Sequence, residues 1–331
     1  MRIVFLGSGA FAIPCLEALA TAGHDVAALV TQPDRQKGRG QALAPPPLKP
    51  VAAARGIPVL QPRKVREPDA QEALRALSPE LQVVVAYGQI LPASVIAIAR
   101  RGTVNVHASL LPKLRGAAPI QWAIAAGETE TGVTTMMIDE GLDTGPILLQ
   151  RATNILPVET AAQLEPRLAR LGAQLLLETV AGLESGALRP TPQDESRATL
   201  APLLKKEDGR IDWSRPATVI ARRVRGFNPW PGTFTVLAGR VLKVLIAREL
   251  SDMHFLENLL GRAVLLKVLR APEDLPDLPG TVARVSGEGL LVACGEGSYL
   301  LLEEVQPESR RAMPAAAFAA GARVRPGDRL G

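Results

Sequence analysis

The 331-residue chain has few of the residues from which metal, disulfide and redox sites are built. It contains two cysteines, Cys15 and Cys294, and three histidines, His24, His107 and His254. The cysteines lie far apart in sequence and form no C-x-x-C pair, which suits a reducing compartment and leaves no thiolate metal site. Three histidines are also too few to favour a dedicated zinc site, so we predict no metal.

Long apolar runs, a signal peptide and a strongly one-sided charge are missing as well. No run of about 18 or more apolar residues occurs, so the sequence predicts no membrane span. The apolar run at 2–6 meets Gly7 too early for a signal peptide, and we expect a cytoplasmic protein. The net charge of +5 is compatible with a polyanionic partner, but many enzymes without such a partner share this balance.

What the first half does contain is a series of short runs rich in Val, Ile and Leu that alternate with helical patterns. This alternation predicts β-α-β units and an α/β domain with a Rossmann-like, mostly parallel sheet covered on both faces. The predicted strands are 2–6, 25–31, 81–86, 103–106, 133–138 and 147–155. The predicted helices are 12–22, 68–77, 92–100 and 160–183.

The second half has a different texture. Residues 189–196 are polar and proline-rich, as is typical of a linker. One helical pattern at 216–226 then precedes short β-like runs with glycine turns, which predict a small all-β domain. These runs are 233–237, 241–246, 263–268, 280–285, 289–293 and 299–303. We therefore predict an α/β domain at 1–189, a linker at 190–206 and a C-terminal β domain, a barrel or a sandwich, at 207–331.

The residues around the strand at 103–106 carry the clearest chemistry. Residues i and i+2 of a strand point to the same face, so Asn105 and His107 are expected to project together at its carboxyl end. Open α/β sheets bind their ligands at that edge. An amide donor beside an imidazole suits acyl transfer, because the amide can stabilise an oxyanion while the imidazole takes a proton from an attacking amine.

Asp143, in the glycine-flanked loop 141–145, is the best candidate for a carboxylate partner of this histidine. A carboxylate there would orient the ring and favour its protonated form. No serine or cysteine stands in a nucleophile-elbow motif, which favours direct transfer over a covalent acyl-enzyme. Each signal alone is common in loop anchors and turns. Their combination with the turn at 109–112 and the Arg115-Gly116 step predicts a site.

Five stretches make the chain resemble a known family. They are 30–40, 85–92, 105–122, 141–145 and 225–232. The chain resembles the methionyl-tRNA formyltransferases, within the wider group of enzymes that use 10-formyltetrahydrofolate. An Asn-x-His pair with a downstream Asp marks the wider group. The Gly-Arg-Gly loop at 38–40 and the Phe-Asn-Pro-Trp-Pro-Gly stretch at 227–232 point to the tRNA enzymes in particular.

The resemblance implies a reaction and a role for each matching residue. Asn105 would hold the formyl oxygen as charge develops, and His107, oriented by Asp143, would manage the proton of the methionyl α-amine. The formyl donor would be 10-formyltetrahydrofolate and the acceptor initiator methionyl-tRNA, with no metal and no nucleotide cofactor. The implied folate-contacting residues are Ser109, Leu110, Leu111 and Pro112 in one turn, and Tyr87, Gly88, Gln89, Ile90 and Leu91 as a second wall.

The resemblance also implies where tRNA would bind. Residues 34–49 match an insertion that reaches the acceptor end, and the C-terminal domain matches a β-barrel of OB type that also holds the tRNA. The cations expected to contact phosphates are Arg35, Lys37, Arg39, Arg222, Arg223 and Arg225. Without the resemblance, the last three indicate only a solvated helix face. We expect a monomer with no membrane partner. The segment 250–262 looks like extra sequence within the barrel and leaves its strand order open.

Other functions fit parts of the same sequence. Gly7-x-Gly9-x-x-Ala12 fits a dinucleotide fingerprint, although no acid stands at the end of the second strand, where a ribose would be bound. Asp143-Thr144-Gly145 spells an aspartic-protease motif, but the chain has a single copy and such enzymes need two facing carboxylates.

Two further alternatives stay closer to the family. A tRNA-binding protein with a vestigial site is disfavoured because Asn105, His107 and Asp143 are intact. A formyltransferase that acts on an amino sugar nucleotide or on glycinamide ribonucleotide would share the same trio. The loop at 38–40 and the stretch at 228–232 favour tRNA over these small amines.

Overall fold

The computed structural model describes residues 1–37, 42–250 and 278–331. The predicted strand at 263–268 and nearly all of the segment 250–262 lie outside these residues. The chain divides into two compact units. The first comprises Met1–Ile120, Glu130–Ile155 and Gln163–Leu203, and the second comprises Gln121–Thr129, Leu156–Ala162 and Leu204–Gly331. Across the described ranges, no helix combines the length and the apolar character needed to cross a membrane.

The first unit is built on strands that follow the predicted α/β alternation. They are β1 (Arg2–Gly7), β2 (Asp25–Val30), β3 (Arg35–Lys37), β4 (Ala42–Ala44), β5 (Val59–Leu60), β6 (Leu81–Val85), β7 (Thr103–His107), β8 (Glu130–Met137) and β9 (Ile147–Asn154). The helices of this part of the chain are α1 (Ile13–Thr21), α2 (Leu48–Ala54), α3 (Pro68–Ala76), α4 (Ala93–Ile96), α5 (Pro119–Ala126) and α6 (Ala161–Ser185).

Seven of these strands form one sheet in the order β5-β2-β1-β6-β7-β8-β9. Neighbours from β5 to β7 are parallel, whereas β8 and β9 add to the edge in antiparallel fashion. Every residue of β6 is buried, as expected for a parallel strand covered on both faces. The predicted Rossmann-like, mostly parallel sheet is thus confirmed. Because β1, β6 and β7 are parallel neighbours, their carboxyl ends lie along one edge.

The helix predicted at 92–100 is wrong in its length, since only Ala93–Ile96 is helical. Side chains take the carbonyl groups that a longer helix would need. Gln82 donates its amide to the carbonyl of Val95 at 2.8 Å, and the Thr103 hydroxyl donates to that of Ile96 at 2.9 Å. In a longer helix these carbonyls would accept from backbone amides four residues further along the chain. The side-chain bonds take that place, so the helix ends after one turn.

The stretch predicted as the loop 34–49 contains regular structure at its base. Strand β3 pairs with β4 in antiparallel fashion, with Arg35 opposite Ala44. Asp34 anchors the start of this hairpin, because both its oxygens accept from Lys49 Nζ, at 2.9 and 2.8 Å. Gln61 also donates to Asp34, at 2.7 Å, and these hydrogen bonds hold the pKa of that carboxyl below its usual value.

The described part of the second unit from Leu204 onward contains an antiparallel sheet and two α-helices. Its elements are α7 (Ala217–Gly226), β10 (Thr233–Leu237), β11 (Arg240–Glu249), β12 (Val282–Ser286), β13 (Gly289–Ala293), β14 (Tyr299–Pro307), β15 (Met313–Pro314) and α8 (Ala315–Ala322). The strand order is β10-β11-β14-β13-β12, with β15 paired to β14. The predicted fold class, an α/β domain followed by a small OB-like β domain, is confirmed. Helix α8 was not predicted, because its alanine-rich sequence shows little helical periodicity.

Helix α7 covers the core of this second unit. Its buried residues Ala217, Ile220, Ala221 and Val224 recur at the spacing of one helical face. They pack with Leu242 and other buried residues of the sheet in one apolar cluster. The arginines of α7 fall between these positions and therefore lie away from the core.

Candidate active site

The alternation of β7 sets the direction of the two central side chains. Val106 lies opposite Gly172 of α6, where an added Cβ would approach its Cγ1 atom to 3.1 Å. Asn105 and His107 therefore project from the other face of the sheet. His107 is the last residue of β7 and is buried, whereas Asn105 is half-buried. The strand places an amide and an imidazole side by side, as the sequence predicted.

Two acceptors surround the ring of His107. Its Nε2 atom lies 2.9 Å from the carbonyl oxygen of Leu114. Its Nδ1 atom lies 3.6 Å from Oδ2 of Asp143. Because a carbonyl oxygen can only accept, the contact with Leu114 assigns the proton of the neutral ring to Nε2. Nδ1 is then the basic nitrogen, and it faces the carboxylate across a distance longer than a direct hydrogen bond.

Asp143 joins the two side chains of β7. Its Oδ1 atom accepts a long bond of 3.4 Å from Asn105 Nδ2, and its Oδ2 atom accepts from the Gly116 amide at 2.8 Å. Asp143 belongs to the loop between β8 and β9, and it has the left-handed backbone conformation, with φ of 52°. The loop folds over the face from which Asn105 and His107 project. The structure thus brings all three predicted catalytic residues together.

Two further residues hold this arrangement: Gln193, which the sequence analysis missed, and Arg115, which it singled out without a role. Gln193 donates its amide to the carbonyl groups of both Asp143 and Gly145, at 2.8 Å each. Arg115 is only 5% exposed and donates to Oε1 of Gln193 and to both carboxylate oxygens of Glu195. The hydrogen bonds between Arg115 and Glu195 raise the pKa of the guanidinium and lower that of the carboxyl. Gln193 lies in the segment predicted as a linker, and no sequence signal distinguishes it there.

The predicted folate-contacting turn, 109–112, follows β7 directly. Ser109 donates its hydroxyl to the carbonyl of Lys113 at 2.6 Å, and the Leu111-Pro112 peptide bond is cis. Thr134 bonds both to the Leu111 amide and to the Ser109 carbonyl. Leu111 and Pro112 are buried, whereas Leu110 is half-buried. The turn is therefore held rigidly by the neighbouring strand β8, at the edge where ligands of such sheets bind.

The second predicted wall, 87–91, follows β6. The side chain of Tyr87 is 2% exposed and packs in an apolar cluster with Val4 and Leu91, and burial raises the pKa of its hydroxyl to about 12. Ile90, in contrast, is 92% exposed. Gln89 is half-buried and accepts from the Val65 amide at 2.8 Å, and Gly88 is exposed. The surface of this wall is therefore formed by main chain and by Ile90 rather than by the tyrosine ring.

The glycine-rich turn after β1 is bonded to the end of β6. The amides of Ser8 and Gly9 both donate to the carbonyl oxygen of Ala86, at 3.2 and 3.3 Å. The Ser8 hydroxyl donates to the carbonyl of Tyr87 and accepts from the Gln32 amide. A pyrophosphate would need such amides as donors. The dinucleotide-like spacing therefore serves a structural contact in this chain.

The predicted phosphate-contacting cations occupy different settings. Arg35 is exposed on β3, the side chain of Lys37 is not described, and Arg39 lies outside the described residues. On α7, Arg223 donates to the carbonyl of Asp208 at 3.0 Å, and Arg225 donates to that of Glu159 at 3.0 Å. Arg222, Arg223 and Arg225 are all half-buried, so each keeps part of its surface accessible.

Comparison with known proteins now identifies the family. The profile described as "Formyl transferase" matches residues 1–180, and that described as "Formyl transferase, C-terminal domain" matches residues 203–323. The chain belongs to the formyl transferase family. Together the two matches cover most of both units, and the first contains Asn105, His107 and Asp143.

Full-length relatives narrow the assignment within this family. The methionyl-tRNA formyltransferase of Solibacter usitatus is 52% identical over 331 residues, which cover 100% of this chain and 99% of the relative. That of Anaeromyxobacter dehalogenans is 53% identical, with 98% of this chain and 97% of the relative covered. That of Geobacter sulfurreducens is 48% identical, with 100% and 97% covered. This chain is thus a formyltransferase of the methionyl-tRNA type.

More distant solved structures share the fold. The N-formyltransferase of Helicobacter canadensis, in complex with folinic acid and dTDP-3-aminofucose, superposes with a TM-score of 0.64 at 16% identity, covering 93% of this chain and 99% of that chain. HypX from Aquifex aeolicus, in complex with tetrahydrofolic acid, superposes with a TM-score of 0.60 at 20% identity, covering 96% of this chain and 47% of that chain.

Proposed function

We propose that this protein transfers the formyl group of 10-formyltetrahydrofolate to the α-amino group of initiator methionyl-tRNA, for translation initiation. The observation that carries this proposal is the convergence of Asn105, His107 and Asp143 at one edge of the sheet, in a chain about half identical to methionyl-tRNA formyltransferases over its full length. A formyl donor of the folate class fits the family and the folate complexes of its structural neighbours.

His107 acts as the general base in the proposed mechanism. The bond from Nε2 to the Leu114 carbonyl leaves Nδ1 free to take a proton from the α-amine as its nitrogen attacks the formyl carbon. The carboxylate of Asp143 lies 3.6 Å from Nδ1 and stabilises the positive charge that develops on the imidazolium.

Asn105 stabilises the negative charge on the formyl oxygen. Attack of the amine gives a tetrahedral intermediate, and the carboxamide of Asn105 donates a hydrogen bond to its oxyanion. The bond from Asn105 to Asp143 is long, at 3.4 Å, so the amide gives up little when it turns to the substrate. Collapse of the intermediate breaks the bond to N10 of the folate, which takes the proton held by His107.

Direct attack is favoured over a covalent acyl-enzyme. Burial raises the pKa of both thiols, Cys15 and Cys294, to about 12, so neither supplies a thiolate at neutral pH. Ser109 stands two residues after His107, but its hydroxyl donates to the Lys113 carbonyl at 2.6 Å and is fully buried. The methionyl amine itself is therefore the nucleophile.

The substrates are assigned to two regions. The rigid turn formed by Ser109, Leu110, Leu111 and Pro112 and the segment from Tyr87 to Leu91 hold the folate at the carboxyl edge of the sheet. Arg35, Lys37, Arg39, Arg222, Arg223 and Arg225 contact tRNA phosphates. Binding through phosphates requires that tRNA affinity falls as salt rises. An affinity independent of salt would contradict this assignment.

A one-carbon transfer assay tests the proposed function. The protein is incubated with 10-formyltetrahydrofolate labelled in the formyl group and with charged initiator methionyl-tRNA, uncharged tRNA, an amino sugar nucleotide or glycinamide ribonucleotide. We expect label only on charged tRNA, at the α-amine. Preferential labelling of either small amine would overturn the proposal, and labelling of uncharged tRNA would exclude the α-amine as acceptor. Gel filtration tests the expected monomer.

A further inference from the structure

We propose that residues 191–201 form a positioning strap that holds Asp143 in its working conformation through Gln193 and Arg115. The sequence of this segment is typical of a passive linker, but its hydrogen bonds reach both the loop that carries Asp143 and the segment after β7. The inference deepens the proposed function and rests on it, because formyl transfer is the reaction whose rate the strap would control.

The first contact acts on the backbone of the Asp143 loop. Asp143 has φ of 52°, in the left-handed region, which is uncommon for residues with a side chain although Asp adopts it more readily than most. Gln193 Nε2 donates to the carbonyl oxygens of Asp143 and Gly145, both at 2.8 Å. These two bonds bracket the turn that aims the carboxylate at His107. Gln193 therefore fixes the direction of Asp143 without touching its side chain.

The second contact fixes the direction of Gln193 itself. The amide group of a glutamine can rotate so that its oxygen and nitrogen exchange places, unless their hydrogen-bond partners fix one orientation. Arg115 donates to Oε1 of Gln193 from Nε at 3.1 Å and from Nη2 at 2.8 Å, and only the oxygen can accept these bonds. The NH₂ group must then face the two loop carbonyls. Glu195 holds the other side of the guanidinium, with bonds of 2.8 and 2.7 Å.

The third contact anchors the main chain beside His107. The Arg115 amide donates to the Thr199 carbonyl at 2.8 Å, and the Ala201 amide donates to the Arg115 carbonyl at 2.7 Å. The neighbours of Arg115 serve the catalytic residues directly, since Leu114 accepts from His107 and Gly116 donates to Asp143. The strap thus holds Arg115 through both its side chain and its main chain. The positions of Leu114 and Asp143, which supply the two acceptors around the imidazole, depend on these bonds.

Replacement of one atom tests the strap. Gln193→Glu keeps the length of the side chain and an acceptor for Arg115, but it places an oxygen against the carbonyls of Asp143 and Gly145. We expect kcat to fall by about 10- to 100-fold, as for a misplaced catalytic group, with KM for both substrates within about twofold of wild type. The matched control is Ser196→Ala. The Ser196 hydroxyl that it removes donates to Asp194 within the same segment and not to a catalytic residue. This variant should retain wild-type kcat.

A double-mutant cycle separates positioning from general damage. If Gln193 acts through Asp143, then Gln193→Glu introduced into an Asp143→Ala background should lower kcat by less than about twofold, because the carboxylate to be positioned is gone. The same loss in both backgrounds would overturn the proposal. So would a loss confined to KM, or a kcat of Gln193→Glu equal to that of Ser196→Ala.

Amide exchange provides a readout that does not require the reaction. The Gly116 amide is protected by its bond to Asp143. In Gln193→Glu we expect this amide to exchange at least about tenfold faster than in wild type and in Ser196→Ala, because the loop opens locally. Unchanged exchange would refute the strap. If the wild-type protein fails to formylate methionyl-tRNA, the proposed function fails, while the exchange measurement still decides whether the strap positions Asp143.

Discussion

The ends of two strands in the same sheet show how similar-looking loops can have different purposes. After β1, the turn at Gly7–Gly9 has the spacing of a ligand-binding fingerprint, yet its amides are bonded to Ala86. At the end of β7, the sequence has no glycine fingerprint, yet Asn105 and His107 keep polar atoms available for a reaction. A glycine motif predicts a backbone shape, whereas chemistry depends on which polar atoms are left for a substrate.

The largest effect is expected at the end of β7, from His107→Ala. Removal of the base should lower kcat by at least about a hundredfold, in line with the loss of general base catalysis. Steady-state kinetics with methionyl-tRNA measures the effect, and circular dichroism checks the fold. His24→Gln, which changes a histidine away from the site, is the matched control and should leave kcat unchanged. A rate near wild type in His107→Ala would remove the role assigned to this residue.

Asn105→Ala should lower kcat by about a hundredfold, because one oxyanion donor is lost. The expected KM for the folate changes little, since the donor acts on charge that exists only in the transition state. Measurement of kcat and KM for each substrate separates these effects. A rise in KM at constant kcat would mean that Asn105 binds the ground state instead.

At the end of β1, Ser8→Ala should lower the stability of the fold but leave the rate of formyl transfer unchanged. Its hydroxyl joins Thr31, Gln32 and the carbonyl of Tyr87. Loss of these bonds should reduce the free energy of unfolding by about 1 kcal/mol, with kcat close to wild type. Urea unfolding and the transfer assay measure the two quantities. A large drop in kcat at unchanged stability would place the β1 turn in the catalytic machinery.

The smallest effect is expected when a nicotinamide dinucleotide is added to the protein. Because the Ser8 and Gly9 amides are bonded to Ala86, titration with NADH should give no saturable change in fluorescence. Tight binding would mean that the turn rearranges to release its amides, and the contrast between the two strand ends would then disappear.

Much of the fold can be predicted from the sequence because of how parallel sheets bury their strands. Strands β1, β2 and β6 are buried along nearly their whole length, so each is a mainly apolar run bounded by glycine or polar residues. The length of α4 could not be predicted, because it is set by side chains of the neighbouring strands β6 and β7, Gln82 and Thr103, which lie outside the helical pattern. Local patterns do not contain such tertiary hydrogen bonds.

Some residues of the candidate site can likewise be predicted from the sequence, and others cannot. Asn105 and His107 follow from the two-residue period of a strand. Asp143 follows only from the resemblance and the glycines around it, because its loop crosses the face of the sheet from the far end of β7. Gln193 acts through side-chain contacts about 50 residues away along the chain, in a stretch whose composition is typical of a linker. No periodicity or motif encodes such a contact.

The loop after β7 has a consequence for how this enzyme can change. Between Leu114 and Gly116, three consecutive residues supply a carbonyl, a guanidinium and an amide to three different partners. An insertion or deletion of one residue would move all three groups out of register at once. Point substitutions around them can be absorbed individually. Sequence drift in this loop should therefore alter its composition but leave its length fixed, and designed variants should keep the same count of residues.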